Sequence, residues 1–76
     1  MAKLKYVRLK EYNSVIVFPE IIQHSDFKFL EPVSAGFCFI NTENREVVCY
    51  GQSVSLGLNS DPKDSEYATW QFFKDY

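Results

Sequence analysis

Residues Val33–Tyr50 read VSAGFCFINTENREVVCY, two apolar runs separated by the polar segment Asn41-Thr42-Glu43-Asn44-Arg45-Glu46. In period two, Ala35, Phe37 and Phe39 fall on one face of the first run, with Ser34, Gly36, Cys38 and Ile40 on the other. In the second run Val48 and Tyr50 alternate with Val47 and Cys49. Aromatic and β-branched side chains suit a pleated, half-buried surface, so the stretch predicts a β-hairpin. A loop of two residues (Glu43-Asn44) or of four (Thr42 to Arg45) gives one and the same register. It sets Phe39 opposite Val48, Phe37 opposite Tyr50, Ile40 opposite Val47, Cys38 opposite Cys49 and Gly36 opposite Gly51. A slip by one residue would exchange the two faces. The face bearing Phe37, Phe39 and Tyr50 is expected to lie under a helix. The thin face, with Gly36, Cys38, Cys49 and Gly51, invites close packing from another element or subunit.

Upstream, Leu4 to Phe18 reads as a first hairpin, LKYVRLK-EYNS-VIVF. A turn at Tyr12-Asn13, where Asn tolerates the left-handed conformation, sets Leu9 opposite Ile16 and Val7 opposite Phe18 on an apolar face. The other face carries Tyr6, Arg8 and Lys10 against Val15 and Val17. Those three are read as an exposed face, its basic stems covering the valines, and as a candidate contact for anions or nucleic acid. Pro19 cannot donate to a ladder and should end the second strand. Between the hairpins, Ser25 is a plausible N-cap for a short helix near 25–30, with Asp26 in its first turn and Phe27 and Leu30 on one side.

Downstream of Tyr50, Val54, Leu56 and Leu58 alternate with Ser53, Ser55 and Gly57, a pattern compatible with a short fifth strand or an extended loop. The clearest local signal follows in NSDPKDSEYATWQFFKDY, where Asp61 can cap, Pro62 takes the first helical position, and Asp64 and Glu66 complement the helix dipole. This predicts a helix over 62–74. Tyr67, Trp70 and Phe73 form one stripe, read as the cover of the sheet. Ala68, Phe72 and Tyr76 form a second stripe, read as a partner or oligomer interface. The resulting expectation is an α+β fold, with a mostly antiparallel sheet of four to five strands built from hairpins at 4–18 and 33–50.

Length and composition bound this reading. A chain of 76 residues is a single small domain with a thin core, and 46% apolar content with 13 aromatic residues excludes a disordered chain. No apolar run approaches the roughly 20 residues that span a bilayer, and MAKLKYVRLK lacks the apolar core of a secretion signal. A cytoplasmic protein with two reduced thiols is expected. Cys38 and Cys49 read first as small packed side chains, with a redox-active cross-strand pair as the alternative. Lys3, Lys5, Arg8 and Lys10 give the first ten residues a charge of +4, while the remainder carries −6.

Chemical signatures are few. His24-Ser25-Asp26 contains the residue types of a catalytic triad, but three consecutive side chains cannot converge as a triad requires. GQSVSLG lacks the lysine and spacing of a phosphate-binding loop. No catalytic, metal or cofactor residues are assigned.

Tyr6-Val7-Arg8-Leu9, Val17-Phe18-Pro19, Ser34-Ala35-Gly36-Phe37 and Cys49-Tyr50-Gly51-Gln52-Ser53 to Leu58 together give the chain a texture that resembles short proteins encoded in bacterial and phage genomes. The resemblance covers most of the chain and implies no activity, cofactor or site. It favours an accessory protein of a mobile element. The leading expectation is therefore a non-enzymatic protein-interaction module, an inhibitor or adaptor acting as a small homo-oligomer. The alternative is weak nucleic-acid binding through Tyr6, Arg8 and Lys10.

Overall fold

The computed structural model describes residues 3–73. Six strands and one α-helix are laid out as β1 (Leu4–Arg8), β2 (Val15–Pro19), β3 (Ser34–Asn41), β4 (Glu46–Tyr50), β5 (Gln52–Ser53), β6 (Leu58–Asn59) and α1 (Asp64–Phe73). Strands β2-β1-β3-β4 form one antiparallel sheet in that order, and β5 and β6 pair separately. The fold is α+β, as the sequence predicts.

The β3–β4 hairpin has the predicted register, Phe37 opposite Tyr50 through Asn41 opposite Glu46. Its four-residue loop is fastened by Asn41, whose Oδ1 accepts the amides of Glu43 and Asn44, both at 3.1 Å. The β1–β2 hairpin is shifted by two residues from expectation, with Val7 opposite Ile16 and Lys5 opposite Phe18. Lys10 is helical and both Tyr12 and Asn13 are left-handed, so the connection spans Lys10–Asn13 and closes at the 2.8 Å bond from the Leu9 amide to the Ser14 carbonyl. A shift by two preserves which side chains share a face.

Both faces of the sheet are covered. On one, Val7, Phe18 and Ala35 are buried with Ile16, Ile22, Phe27, Leu56 and Leu58 packed against them. The cover comes from a 3-10 segment, His24–Leu30, and from the β5–β6 hairpin. That segment is tighter than the α-helix expected. Its start is held by the Asp26 carboxylate on the Gln23 amide at 3.3 Å, while Ser25 stays exposed. The alternation of Val54, Leu56 and Leu58 does not make a fifth strand of the main sheet: residues 54–57 are a turn, and Val54 points to solvent. His24 is buried, stacks edge-on to Phe18 and Phe37, and donates from Nε2 to the Gly36 carbonyl at 2.8 Å. A carbonyl only accepts, so the ring proton sits on Nε2. Its role is structural.

Helix α1 covers the other face, the one bearing Tyr6, Val15, Cys38 and Val47, all buried around Ala68. This is opposite to the face predicted to receive it. Small side chains explain the choice. Ser65, Ala68 and Thr69 let the helix approach the β4 backbone closely, where the Phe37, Phe39 and Tyr50 face would hold it off.

Contact with the sheet edges fixes the helix in place. The Thr69 hydroxyl accepts the Val47 amide at 2.8 Å and donates to the Val47 carbonyl at 3.1 Å. Ser65 does the same for Cys49, at 2.8 and 3.4 Å. At the far edge, the Gln71 side chain accepts the Val15 amide at 2.9 Å and donates to its carbonyl at 2.7 Å. Three side chains thus stand in for missing neighbour strands, closing the β4 edge at Val47 and Cys49 and the start of the β2 edge at Val15.

Candidate functional site

The N-terminus of α1 explains where the expected basic surface went. The Asp61 carboxylate accepts the Lys63 amide at 2.8 Å, and the Asp64 carboxylate reaches back to the Asp61 amide at 2.9 Å. This reciprocal cap turns Asp64 inward, with no exposed surface, where it also accepts from the Tyr6 hydroxyl and from Arg8 Nε at 2.6 Å. Arg8 further donates to Ser34 Oγ at 3.1 Å and to Asn13 Oδ1 at 2.8 Å, and its guanidinium lies 5.1 Å from the Tyr67 ring centroid. Burial first, then the hydrogen bond to Asp64, pushes the Tyr6 hydroxyl far above the ordinary tyrosine range.

Tyr6 and Arg8 are therefore structural and offer no face to an anion or a nucleic acid, which corrects the reading of the first hairpin. The Asp64 carboxylate at 2.6 Å balances the Arg8 charge, so the two form a pair in which loss of either partner would leave a buried charge. Lys10 alone of the three is exposed. Lys5 donates to the Ile22 carbonyl at 2.9 Å, and Lys3 lies 4.3 Å from the Phe37 ring centroid. Most of the basic arm is thus engaged with the protein itself.

Within the two stripes of α1, Ala68 and Trp70 exchange roles, while Tyr67 and Phe73 pack against the core and Phe72 faces outward as expected. Ala68 is fully buried in the core and cannot meet a partner. Phe72, four residues on, is partly exposed at the end of the helix, and Tyr76 lies outside the described residues. Trp70, assigned to the sheet, is instead 63% exposed. On a helix, two residues turn the chain through about 200°, so seating Ala68 against the sheet turns Trp70 outward. The pattern Ser65-x-x-Ala68-Thr69 carried that information, since small residues three and four apart mark the face pressed onto a backbone.

Trp70 stands as a ridge between two depressions. One, of about 750 Å³, is open and is lined by Arg45, Glu46, Val47, Glu66, Thr69 and Phe73. The other, of about 320 Å³, lies between Trp70 and Tyr12, with Glu66 and Gln71 at its wall. Arg45 donates to the Phe73 carbonyl at 3.5 Å and lies 5.7 Å from its ring centroid, so its charge marks the C-terminal end of the larger groove. Glu66 marks the other end. Tyr12 is 94% exposed although its backbone is left-handed (φ 57°), a conformation that costs a non-glycine residue about 1 kcal/mol or more.

Among the described residues no cluster of three or more His, Cys, Asp or Glu side chains is arranged to hold a metal ion, and no helix is long and apolar enough to cross a membrane. No protein-family model, curated protein or solved structure matches this chain.

Proposed function

We propose that the chain is a protein-interaction module that works as a two-fold homodimer formed through the outward face of α1, in the service of an inhibitor or adaptor role. The observation that carries this reading is the self-complementary layout around Trp70. Within one surface there is a protruding indole, a groove large enough to receive one, and opposite charges at the groove's two ends.

Trp70 lies midway along the patch, four residues after Glu66 and three before Phe73, the residue that Arg45 caps. Glu66 and Phe73 are about 10 Å apart along the helix axis. A two-fold axis near Trp70 pairs two α1 helices antiparallel. It then sets Arg45 of each copy against Glu66 of the other, and each indole in the other's groove. Isologous contacts require this kind of patch, in which every feature meets its own complement. Aromatic anchors seated in grooves also supply most of the energy at small interfaces. A stable dimer hides roughly 800 Å² per copy. The patch must therefore include Tyr12 beside the second depression as well as the larger groove.

Sedimentation equilibrium with charge-swapped variants tests the proposal. The wild-type chain should be a dimer whose melting temperature rises with concentration, and Trp70→Ala a folded monomer whose melting temperature does not. Arg45→Glu and Glu66→Arg should each weaken association, and the double swap should restore it. A wild-type chain that stays monomeric at every concentration, or a double swap no better than the single ones, would overturn the assignment.

A further inference from the structure

We propose that Cys38 and Cys49 are a reversible two-electron redox site, a dithiol held in position to close as a cross-strand disulfide. The inference is independent of the dimer reading.

Both cysteines are free, and they sit directly opposite each other on β3 and β4. The type of pair follows from the edge contacts. Ser65 takes both the amide and the carbonyl of Cys49, so those groups point away from β3. Cys38 and Cys49 are thus a non-hydrogen-bonded pair, the antiparallel position in which Cα atoms approach to about 4.5 Å and side chains lie closest. Disulfides span about 4.4–6.8 Å between Cα atoms, so closure requires side-chain rotation and little backbone movement.

The pair is chemically unequal. Hydrogen bonding to Cys49 lowers the Cys38 thiol, and hydrogen bonding to Cys38 followed by burial raises the Cys49 thiol. One proton is therefore released more readily than from an isolated thiol, and the second is retained. Access divides the pair differently: Cys38 is sealed beneath Tyr6 and Ala68, whereas Cys49 is partly exposed. An oxidant arrives at Cys49, and Cys38 resolves.

With a peroxide as oxidant the step balances. Cys38, having released its proton to solvent, takes the proton of Cys49, whose sulfur then attacks one peroxide oxygen as the thiolate, and the departing oxygen takes up the released proton. The O–O bond breaks, one water leaves, and a sulfenic acid remains. The Cys38 sulfur then attacks the sulfenic sulfur and forms the S–S bond. The displaced hydroxide leaves as a second water with the remaining thiol proton. Two thiols lose two electrons and two hydrogens to the peroxide. An external dithiol returns them.

The test is oxidation of the full chain by dilute hydrogen peroxide, folded and in urea, followed by intact-mass measurement and alkylation. Folded protein should lose two hydrogens within one chain, both cysteines should resist alkylation, and dithiothreitol should restore them. Preorganisation acts on the closing step, so the folded chain should pass from sulfenic acid to disulfide about tenfold or more faster than the urea-unfolded chain. Cys38→Ala should instead stop at a sulfenic acid on Cys49 that a dimedone probe traps. Equal rates of disulfide closure in folded and unfolded chains, or added oxygens on the folded wild type without loss of two hydrogens, would overturn the site.

Discussion

A carboxylate with no exposed surface, Asp64 holds the Tyr6 hydroxyl, Arg8 and the amide of its own helix cap. The consequence for Tyr6 is a hydroxyl that stays protonated in the folded chain well above the ordinary tyrosine value of about 10. Below about pH 10 both folded and unfolded chains carry that proton, and the contribution to stability is complete. Above it the unfolded chain loses the proton while the folded chain keeps it, so stability falls by about 1.4 kcal/mol per pH unit. Tyr6→Phe removes one of the two donors to Asp64 Oδ2, the Asp61 amide remaining, and the loss of a hydrogen bond to a charged group should cost about 1.5–3 kcal/mol at neutral pH. Its stability gap to wild type should then narrow above about pH 10. Urea unfolding of both proteins across the alkaline range measures this, and a gap independent of pH would show an accessible hydroxyl. None of this was legible locally: the sequence marks Tyr6 and Arg8 as an amphipathic strand face, and only Asp64, more than fifty residues away, makes that face interior.

At the scale of elements, side chains of α1 close the β4 edge and the start of the β2 edge. Ser65 and Thr69 each satisfy an amide and a carbonyl on β4. Replacing a hydroxyl by a methyl leaves those groups partnerless in a partly buried place, at a cost of about 1–3 kcal/mol per site. Ser65→Ala with Thr69→Val should accelerate hydrogen exchange at the Val47 and Cys49 amides. It should also turn β4 into an open, apolar edge that associates with rising concentration. Unchanged exchange at both amides would mean that water or the strand's own twist protects them. The same contacts show what the sequence could reveal about elements. The β3–β4 register was fully legible, because a four-residue turn and matched faces agree on it. The β1–β2 register was legible only in its faces, because a left-handed Tyr12 lengthened the turn by two residues. For α1 the periodicity placed Tyr67 and Phe73 correctly against the core, but not Ala68 and Trp70, because the small residues that set the closest approach carry little hydrophobic signal.

Over the whole molecule, α1 connects the two outermost strands, through Thr69 and Ser65 on β4 and Gln71 on β2, while its N-terminal cap holds β1. The sheet and the helix therefore form one cooperative unit. A chain of 76 residues is typically stable by only about 4–11 kcal/mol. Removing α1 would expose Tyr6, Val15 and Val47, each buried beneath it. At about 1.5–3 kcal/mol for each side chain, that loss is of the same size as the whole stability. It would also strand the Arg8 charge and open the β4 edge and the start of β2. A chain ending at Ser60 should accordingly fail to fold, giving a collapsed amide proton spectrum and concentration-dependent aggregation. Adding a peptide of residues 61–76 should recover part of the dispersed spectrum. A truncated chain with a dispersed spectrum and no need of the peptide would show that the four strands fold alone, and that α1 is an appended element rather than the closure of the sheet.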